Sequence, residues 1–474
     1  MNPSRSDAPA LRCAGALALV MALSGCAALS PPSTALPGTP TPAAWSTGVA
    51  MSEAAISLAE WWQRFNDPLL TELVTQALQV NTTVRAAQAA LLQARALRDV
   101  KAAGLLPTVT GSVSAQRSQS EGSDAGNTFR AGFDASWEID VFGARHSALN
   151  ASEADARAAA ATLADAQVSI AAEVAVTYTE LRGLQARLII ARNNLASQTE
   201  TQQITDWRVQ AGLASSLDLE QARSASAQTG ALIPALETSV AQAQNSLAVL
   251  TGQAPGALRA TLSASGPSIQ APMDLAISFP AQTLRQRPDV RAAEHRVSAA
   301  LARVAQADAE RYPTFQISGS LGLSALTLTG LTAGGAAMNA LLASISAPLF
   351  DGGAARAQVR AQEAGLEQER VGYQAAVLTA LKDVEDSLVA LQGDRERLFL
   401  LQVAAEAAAN ADLLARQRYG SGLIDFRSVL ETQRTLLLTQ DAVESTRASL
   451  NSDHVRLYKA LGGGWTREAD HASR

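Results

Sequence analysis

Residues 129–141 of the 474-residue chain read FRAGFDASWEIDV, a stretch in which apolar and polar side chains alternate. Successive side chains of a β-strand point to opposite faces, so a period of two predicts a strand with one apolar face. The apolar positions are Phe129, Ala131, Phe133, Ala135, Trp137, Ile139 and Val141, and the polar positions are Arg130, Asp134, Ser136, Glu138 and Asp140.

Three more stretches alternate in the same way, and all reach the 9–11 residues that a membrane-spanning strand needs. The pattern alone favours a half-buried sheet of a soluble protein. The export signal described below shifts the interpretation to a membrane sheet with its apolar face towards lipid. The further apolar positions are Val109, Val113, Ala115, Phe315, Ile317, Leu321, Leu323, Leu341, Ala343, Ile345, Ala347 and Leu349.

Four strands per chain are too few for a membrane sheet. Lipid offers no hydrogen-bond partner to an open sheet edge, so a spanning sheet must close, and the smallest closed barrels have about eight strands. The sequence therefore predicts that several chains share one barrel.

The chain is also internally duplicated. The stretch TVRAAQAALLQARALRDVKAAGLLPTVTGSVS (83–114) parallels DVRAAEHRVSAALARVAQADAERYPTFQISGS (289–320) at an offset of 206 residues. Pairs such as Leu181 and Leu391, or Gly212 and Gly422, recur at an offset of 210. Each half predicts a helix, two strands, a long helix, a glycine-containing turn and a returning helix.

Long helices follow the strands in both halves. Apolar residues 3.5 positions apart on average predict a coiled-coil seam. A helix from Gly143 to about Trp207 would be about 95 Å long and too polar to lie in lipid, which predicts a stalk projecting from the barrel. Pro234, inside the first returning helix, predicts a kink or break. The seams contain Val174, Tyr178, Leu181, Leu184, Leu188, Ala191 and Leu195, and Val377, Leu381, Val384, Leu388, Leu391 and Leu398.

The N-terminus predicts export and lipid attachment. Arg5 and Arg12 precede a short apolar run that is too short to span a bilayer, as in a cleaved signal peptide. The run ends in Leu23-Ser24-Gly25-Cys26, which resembles the bacterial lipobox, so Cys26 is predicted to become the first mature residue and to carry acyl chains. An ordinary secretory signal with an incidental cysteine is the alternative. A Pro-rich tether follows.

Composition argues against several functional classes. The net charge of −6 and the lack of a basic cluster argue against nucleic acid as a partner. The four histidines are scattered, with no spacing typical of a metal site, and no phosphate-binding loop or Ser/His/Asp constellation is apparent. We therefore expect no enzyme activity, no cofactor and no metal.

Four motifs carry a resemblance to a family, the outer membrane factors or TolC-like efflux channels. The motif at 458–465, together with the lipobox, resembles the lipoprotein branch that serves resistance–nodulation–division pumps. The motifs are RQRPDVRAAE (285–294), SWEIDVFGARHSA (136–148), SGLIDFRSVLETQR (421–434) and YKALGGGW (458–465).

The resemblance implies a mixed α and β membrane protein: a homotrimer with a 12-stranded β-barrel, four strands per chain, continued by a 12-helix antiparallel coiled-coil α-barrel. It implies a lipid-anchored channel in the outer membrane that passively conducts drugs or other toxic small molecules. A periplasmic adaptor protein would join the channel to an inner-membrane pump. The alternatives are a lipid-anchored coiled coil without a pore and a tethered binding protein or enzyme.

The two helix turns, within 209–223 and 418–434, lie farthest from the strands and are predicted to form the periplasmic tip. The resemblance places a gate in the second turn, where Glu431 matches an acidic constriction residue and Arg434 a nearby arginine. Arg427 stands where the family has an aliphatic residue, which puts an apolar ring in doubt. Asp425 is a further acidic candidate, or a charge that only solvates a helix end. Candidate adaptor contacts are Gly212, Asp218 and Gly422.

The predicted organisation runs from a lipoprotein signal peptide to a short tail. Its parts are the signal peptide (1–25), the tether (26–50), the first repeat (51–260), a linker (261–284), the second repeat (285–465) and the C-terminal tail (466–474).

Overall fold

The computed structural model describes residues 42–46, 58–119, 124–263, 283–284, 286–332 and 336–465. Most of the predicted signal peptide, tether, linker and tail lies outside these residues. The elements are a 3₁₀ helix (Trp61–Phe65), α1 (Pro68–Val80), α2 (Thr82–Ala103), β1 (Thr108–Ser118), β2 (Gly126–Ile139), α3 (Ala144–Gln210), α4 (Ser216–Leu250), α5 (Arg259–Leu262), α6 (Pro288–Ala309), β3 (Thr314–Ala325), α7 (Leu328–Thr332), β4 (Ala336–Ser346), α8 (Ala354–Gly420) and α9 (Phe426–Ala460).

The order of elements confirms the duplication. Each half contains a 22-residue helix, two strands, a 67-residue helix and a 35-residue returning helix. Local sequence sets several boundaries. Pro107 and Pro313 directly precede β1 and β3, and Gly143 and Gly353 cap the long helices in the left-handed conformation that glycine readily adopts.

The four strands form one antiparallel sheet in the order β1-β2-β3-β4. Directly paired residues share a face, and the register joins the predicted apolar positions into rows such as Trp137, Ile317 and Ala343. Val113 and Leu341 are 85% and 82% exposed, as expected for a face that meets lipid rather than a protein core. Among the described strands, β1 and β4 each have only one partner, so both sheet edges are open.

The helices extend from one end of the sheet. A section through the described helices at any distance from the sheet cuts four of them. Next to the sheet, α2, α3, α6 and α8 pack side by side, while α4 and α9 take the places of α2 and α6 farther down. Asn81 Nδ2, between α1 and α2, donates to Leu250 O at the end of α4 at 2.9 Å. Arg287 repeats this link in the second half, where a guanidinium nitrogen donates to Ala460 O at 3.0 Å.

We call this junction the belt: the 3₁₀ helix, α1, the ends of α4 and α9, and the middle of α3. Trp61 stacks on Tyr458 with ring centroids 5.4 Å apart. Burial raises the pKa of Tyr178, whose hydroxyl donates to Asp67 Oδ2 at 2.8 Å. Trp45, at the end of the predicted tether, is also buried here, so this part of the tether is docked on the belt.

Two expectations about the helices are corrected. The returning helix α4 continues through Pro234, so the predicted break is wrong, while the alternative of a kink stays a prediction. Along its length α4 packs against α3. The long helices are also not uniformly polar, since α3 and α8 each contain an 18-residue window apolar enough to cross a membrane. At 67 residues, about 100 Å, each helix nevertheless far exceeds a hydrocarbon core of about 30 Å.

Candidate functional site

The two helix hairpins, α3–α4 and α8–α9, each end in a turn of the same type, at the end of the molecule opposite the sheet. Gly212 and Gly422 have φ angles of 75° and 72°, in the left-handed region that favours glycine. The next amide closes each turn, with Leu213 N donating to Arg208 O at 2.7 Å and Leu423 N to Arg418 O at 2.8 Å. The two candidate glycines therefore shape the tip through backbone conformation.

The two candidate aspartates of the turns cap the returning helices. Asp218 forms a capping box with Ser215, in which each backbone N–H donates to the other side chain. Asp425 accepts from Ser428 N at 3.0 Å and Ser428 Oγ at 2.6 Å, and these bonds hold its pKa below the ordinary value. Their structural role is thus helix initiation; Asp425 is exposed and Asp218 is half-buried.

The remaining gate candidates share one exposed stripe of α9. Arg427, Glu431 and Arg434 are spaced four and three residues apart, which places them on one helix face, and all three are exposed. Val429 and Gln433 are buried on the opposite side. Among the described residues of a single chain, no ion pair joins Glu431 to either arginine.

Arg208 connects the two hairpins, a contact that the sequence analysis missed. Its guanidinium donates to Tyr419 O at 3.2 Å and Gly420 O at 3.1 Å, and it lies 4.4 Å from the centroid of the Tyr419 ring. A cation also interacts favourably with the carbonyl end of a helix. The available signal was the repeat itself, because Arg208 and Arg418 both stand four residues before the turn glycine.

Above the tip, the buried seam of α3 becomes polar. Gln433 Nε2 donates to Thr201 Oγ1 at 2.9 Å, and Asn194 Nδ2 donates to Gln440 Oε1 at 2.9 Å. These contacts join α3 to α9. We call this the tip seam, and its α3 members are Asn194, Gln198, Thr201 and Thr205.

Three buried oxygen acceptors at this level have no hydrogen-bond donor in the described part of the chain: Gln198 Oε1, Asp412 Oδ1 and Gln433 Oε1. The other carboxylate oxygen of Asp412 pairs with Arg416 at 2.7 Å. Burial nevertheless raises the pKa of Asp412. An unsatisfied buried acceptor costs about 1–3 kcal/mol, so the tip seam is less stable than a fully bonded or apolar one.

The belt carries a satisfied ionic network instead. Arg287 is 7% exposed and bonds to Asp289 at 2.7 Å and to Asp383 at 3.0 Å, in addition to Ala460 O. Both carboxylates help to raise the pKa of Arg287, against the opposing effect of burial. This network joins α6, α8 and α9.

No group of three or more His, Cys, Asp or Glu side chains with metal-binding geometry occurs within the described residues. Cys26 lies outside them.

A family model described as outer membrane efflux protein matches residues 73–253 and 279–463, which are the two structural repeats. The chain belongs to the outer membrane efflux protein family. A similar curated protein is the toluene efflux pump outer membrane protein TtgF of Pseudomonas putida, 33% identical over 468 residues that cover 95% of this chain and 96% of the relative. Outer membrane protein OprJ of Pseudomonas aeruginosa is 30% identical, covering 95% and 96%.

Among solved structures, the outer-membrane channel OprN is similar with a TM-score of 0.84 and 35% identity, covering 91% of this chain and 100% of that chain. The protein is thus the outer membrane channel of an efflux pump, with the TolC-like fold. Members of this efflux family are transport channels rather than enzymes, which excludes the poreless coiled coil and the tethered binding protein or enzyme.

Proposed function

We propose that three copies of this chain close one 12-stranded barrel and one 12-helix tunnel. The proposal rests on the four-stranded sheet, whose two edges are both open, and on the four helices that lie side by side along the rest of the chain. Three such units give an even number of strands, as closed antiparallel barrels require. The exposed apolar rows then face lipid, and the long helices extend into the periplasm.

The assembled channel would conduct its cargo passively from the periplasm to the exterior. A periplasmic adaptor would dock on the tip, where Leu213, Leu217 and Leu423 are 64–78% exposed beside Gly212, Asp218 and Gly422. These leucines were missed in the sequence because isolated exposed apolar residues are common. An inner-membrane resistance–nodulation–division pump would supply the energy. Relatives are named for toluene and pyoverdine, which supports small organic molecules as the cargo.

The gate is proposed to lie on the exposed stripe of α9. Threefold symmetry turns Glu431 into a ring of like charges, which repel unless a cation pairs with them. Arg427 and Arg434, one turn away on the same face, can supply that pairing between copies. Asp425 adds a second acidic ring nearer the turn. Adaptor docking would break the pairs and open the tip.

Single-channel conductance in planar bilayers tests the gate. Glu431→Ala with Arg434→Ala should raise conductance, because the pairs that narrow the tip are lost. The matched control is Arg192→Ala with Glu237→Ala, which removes a 2.6 Å ion pair between α3 and α4. Wild-type conductance in the gate variant, with the trimer intact, would refute the gate.

Mass spectrometry tests assembly and anchoring. Native spectra of the detergent-solubilised protein should show a trimer; a stable monomer or dimer contradicts the shared barrel. Intact mass should show an acylated Cys26 as the first residue. Cys26→Ser should abolish the acyl mass, whereas Cys13→Ser, within the predicted signal peptide, should change nothing. An unmodified Cys26 refutes the anchor.

A further inference from the structure

A cleft of about 920 Å³ lies between the 3₁₀ helix of the belt and the adjoining faces of α2, α3 and α6. The charged side chains that line it are mostly cationic. Arg64, Arg95, Arg157 and Arg291 line it against a single carboxylate, Glu60. The cleft also contains His295.

Arg291 already lies over the Trp465 ring, 5.1 Å from the ring centroid, so the donor excess of the cleft rests on Arg95 and Arg157. Glu60 accepts from Gln63 at 2.7 Å, so part of its acceptor capacity is used. Arg157 pairs with Glu153 at 3.5 Å, but Arg157 is 65% exposed, and such a solvated pair is worth little. Trp61 lines the cleft while its buried indole N–H lacks an acceptor among the described residues. Guanidinium and indole groups are donors only, so the complementary ligand is an acceptor-rich anion.

The duplication shows that this charge is not a requirement of the scaffold. The counterpart of Arg95, 206 residues on, is Leu301, and the counterpart of Arg157, 210 residues on, is Glu367. The same helices therefore fold with an apolar and an acidic residue at these positions. Arg95 and Arg157 therefore belong to this cleft rather than to the repeat, whereas Arg291 recurs in the first half as Arg85.

The position of the cleft excludes the membrane as its ligand source. The part of α3 that lines it, 157–167, begins 13 residues after the helix start at Ala144. At 1.5 Å per residue, this is about 20–35 Å along α3 from the end of the barrel, below the headgroups. We propose that the cleft binds a small polyanion of the periplasm, a molecule with two or more carboxylate or phosphate groups.

Titration calorimetry on the full-length protein in detergent tests the proposal, with citrate and pyrophosphate as probes at about 0.15 M ionic strength, where surface charge is screened. Three of the six tryptophans, Trp61, Trp62 and Trp465, line the cleft, so fluorescence provides a second readout. Saturable binding of either anion is expected, and the uncharged triethyl citrate should not bind. No saturable binding up to about 10 mM overturns the proposal.

The duplication supplies the test variant: Arg95→Leu with Arg157→Glu, the residues of the second repeat. Affinity should fall at least about tenfold, since two of four arginines are lost and one charge is reversed. Arg98→Leu with Arg360→Glu changes the net charge equally outside the cleft and should leave affinity unchanged. Should the double variant not assemble, Arg95→Leu alone should weaken binding about threefold. Equal losses in test and control, or binding only to phosphatidylglycerol vesicles, overturn the proposal.

Discussion

The belt and the tip seam lie on the same helix, α3, but are packed in different ways. At the belt, Val174, Tyr178 and Leu181 are fully buried in an aromatic and aliphatic cluster. About 20 residues further along the helix, the buried positions hold Gln198, Thr201 and Thr205 instead. Apolar burial contributes about 25 cal/mol per Å², whereas a buried polar contact contributes about 1 kcal/mol and costs more when left unpaired.

This contrast indicates that the helices are held firmly at the belt and can move at the tip seam. Elements that move in function come from the less stable end of a structure. A polar seam with unpaired acceptors can exchange its partners at small cost, while a packed aromatic cluster cannot. The gate proposed at the tip thus has a weakly held seam above it and a fixed belt above that.

The largest expected effect comes from truncation at the belt. Leu181→Ala should lower the free energy of unfolding by about 2–5 kcal/mol, because it leaves a cavity in a fully packed cluster. Thr205→Ala, equally buried at the tip seam, should cost about 1 kcal/mol or less, since its hydroxyl bonds only to Thr201 O of its own helix. Thermal unfolding by circular dichroism compares them; similar losses would remove the distinction.

Acid should weaken the belt by an intermediate amount. Burial lowers the pKa of His454 from 6.5 to about 4. Between these values the unfolded chain binds a proton that the folded chain does not, so stability is full above pH 6.5 and is lost as pH falls towards 4. The loss reaches about 3 kcal/mol. His454→Gln should flatten this part of the stability profile, and the exposed-site variant His146→Gln should keep it. An unchanged slope in His454→Gln would contradict the assignment.

The smallest effect is expected at the tip and has the opposite sign. The raised pKa of Asp412 means that the folded chain holds the proton more tightly, so its contribution is present at low pH and is lost as pH rises. Asp412→Asn removes the buried charge and should stabilise the tip by about 1 kcal/mol. The protection factors of the amides of 405–440 against hydrogen exchange should rise and should no longer change with pH, with Asp386→Asn, exposed on the same helix, as the control. Faster exchange would show that Asp412 stabilises the tip.

The strands and the helix pairs were predictable because the spacing of apolar residues shows which side chains are packed together, and the duplication repeats that spacing in both halves. Alternation located all four strands, and the register confirmed the predicted apolar positions that lie within them, such as Ala131 and Leu323. The break predicted at Pro234 is wrong, because a proline reports only on its own missing hydrogen bond and not on the helical residues on either side of it.

The tip seam could not be predicted, since Gln198 and Thr205 look like surface residues until a partner helix covers them. The docked Trp45 was hidden by the Pro- and Ser-rich composition around it. The burial of Arg287 was equally invisible, although its motif had been recognised, because the three partners come from Asp289, Asp383 and Ala460 of different helices.

The equal lengths of the paired elements have an evolutionary consequence. Both long helices have 67 residues and both returning helices have 35. Deleting one residue from a single hairpin would raise its turn by about 1.5 Å and rotate it by about 100° relative to its neighbour. Such a change would place the two turns of the tip at different heights, and the side chains of the shortened hairpin would no longer face their partners on the other hairpin. Insertions and deletions in one helix hairpin are therefore tolerated only when the other hairpin matches them. The strand region carries no such coupling, since the offset between the halves changes there from 206 to 210 residues.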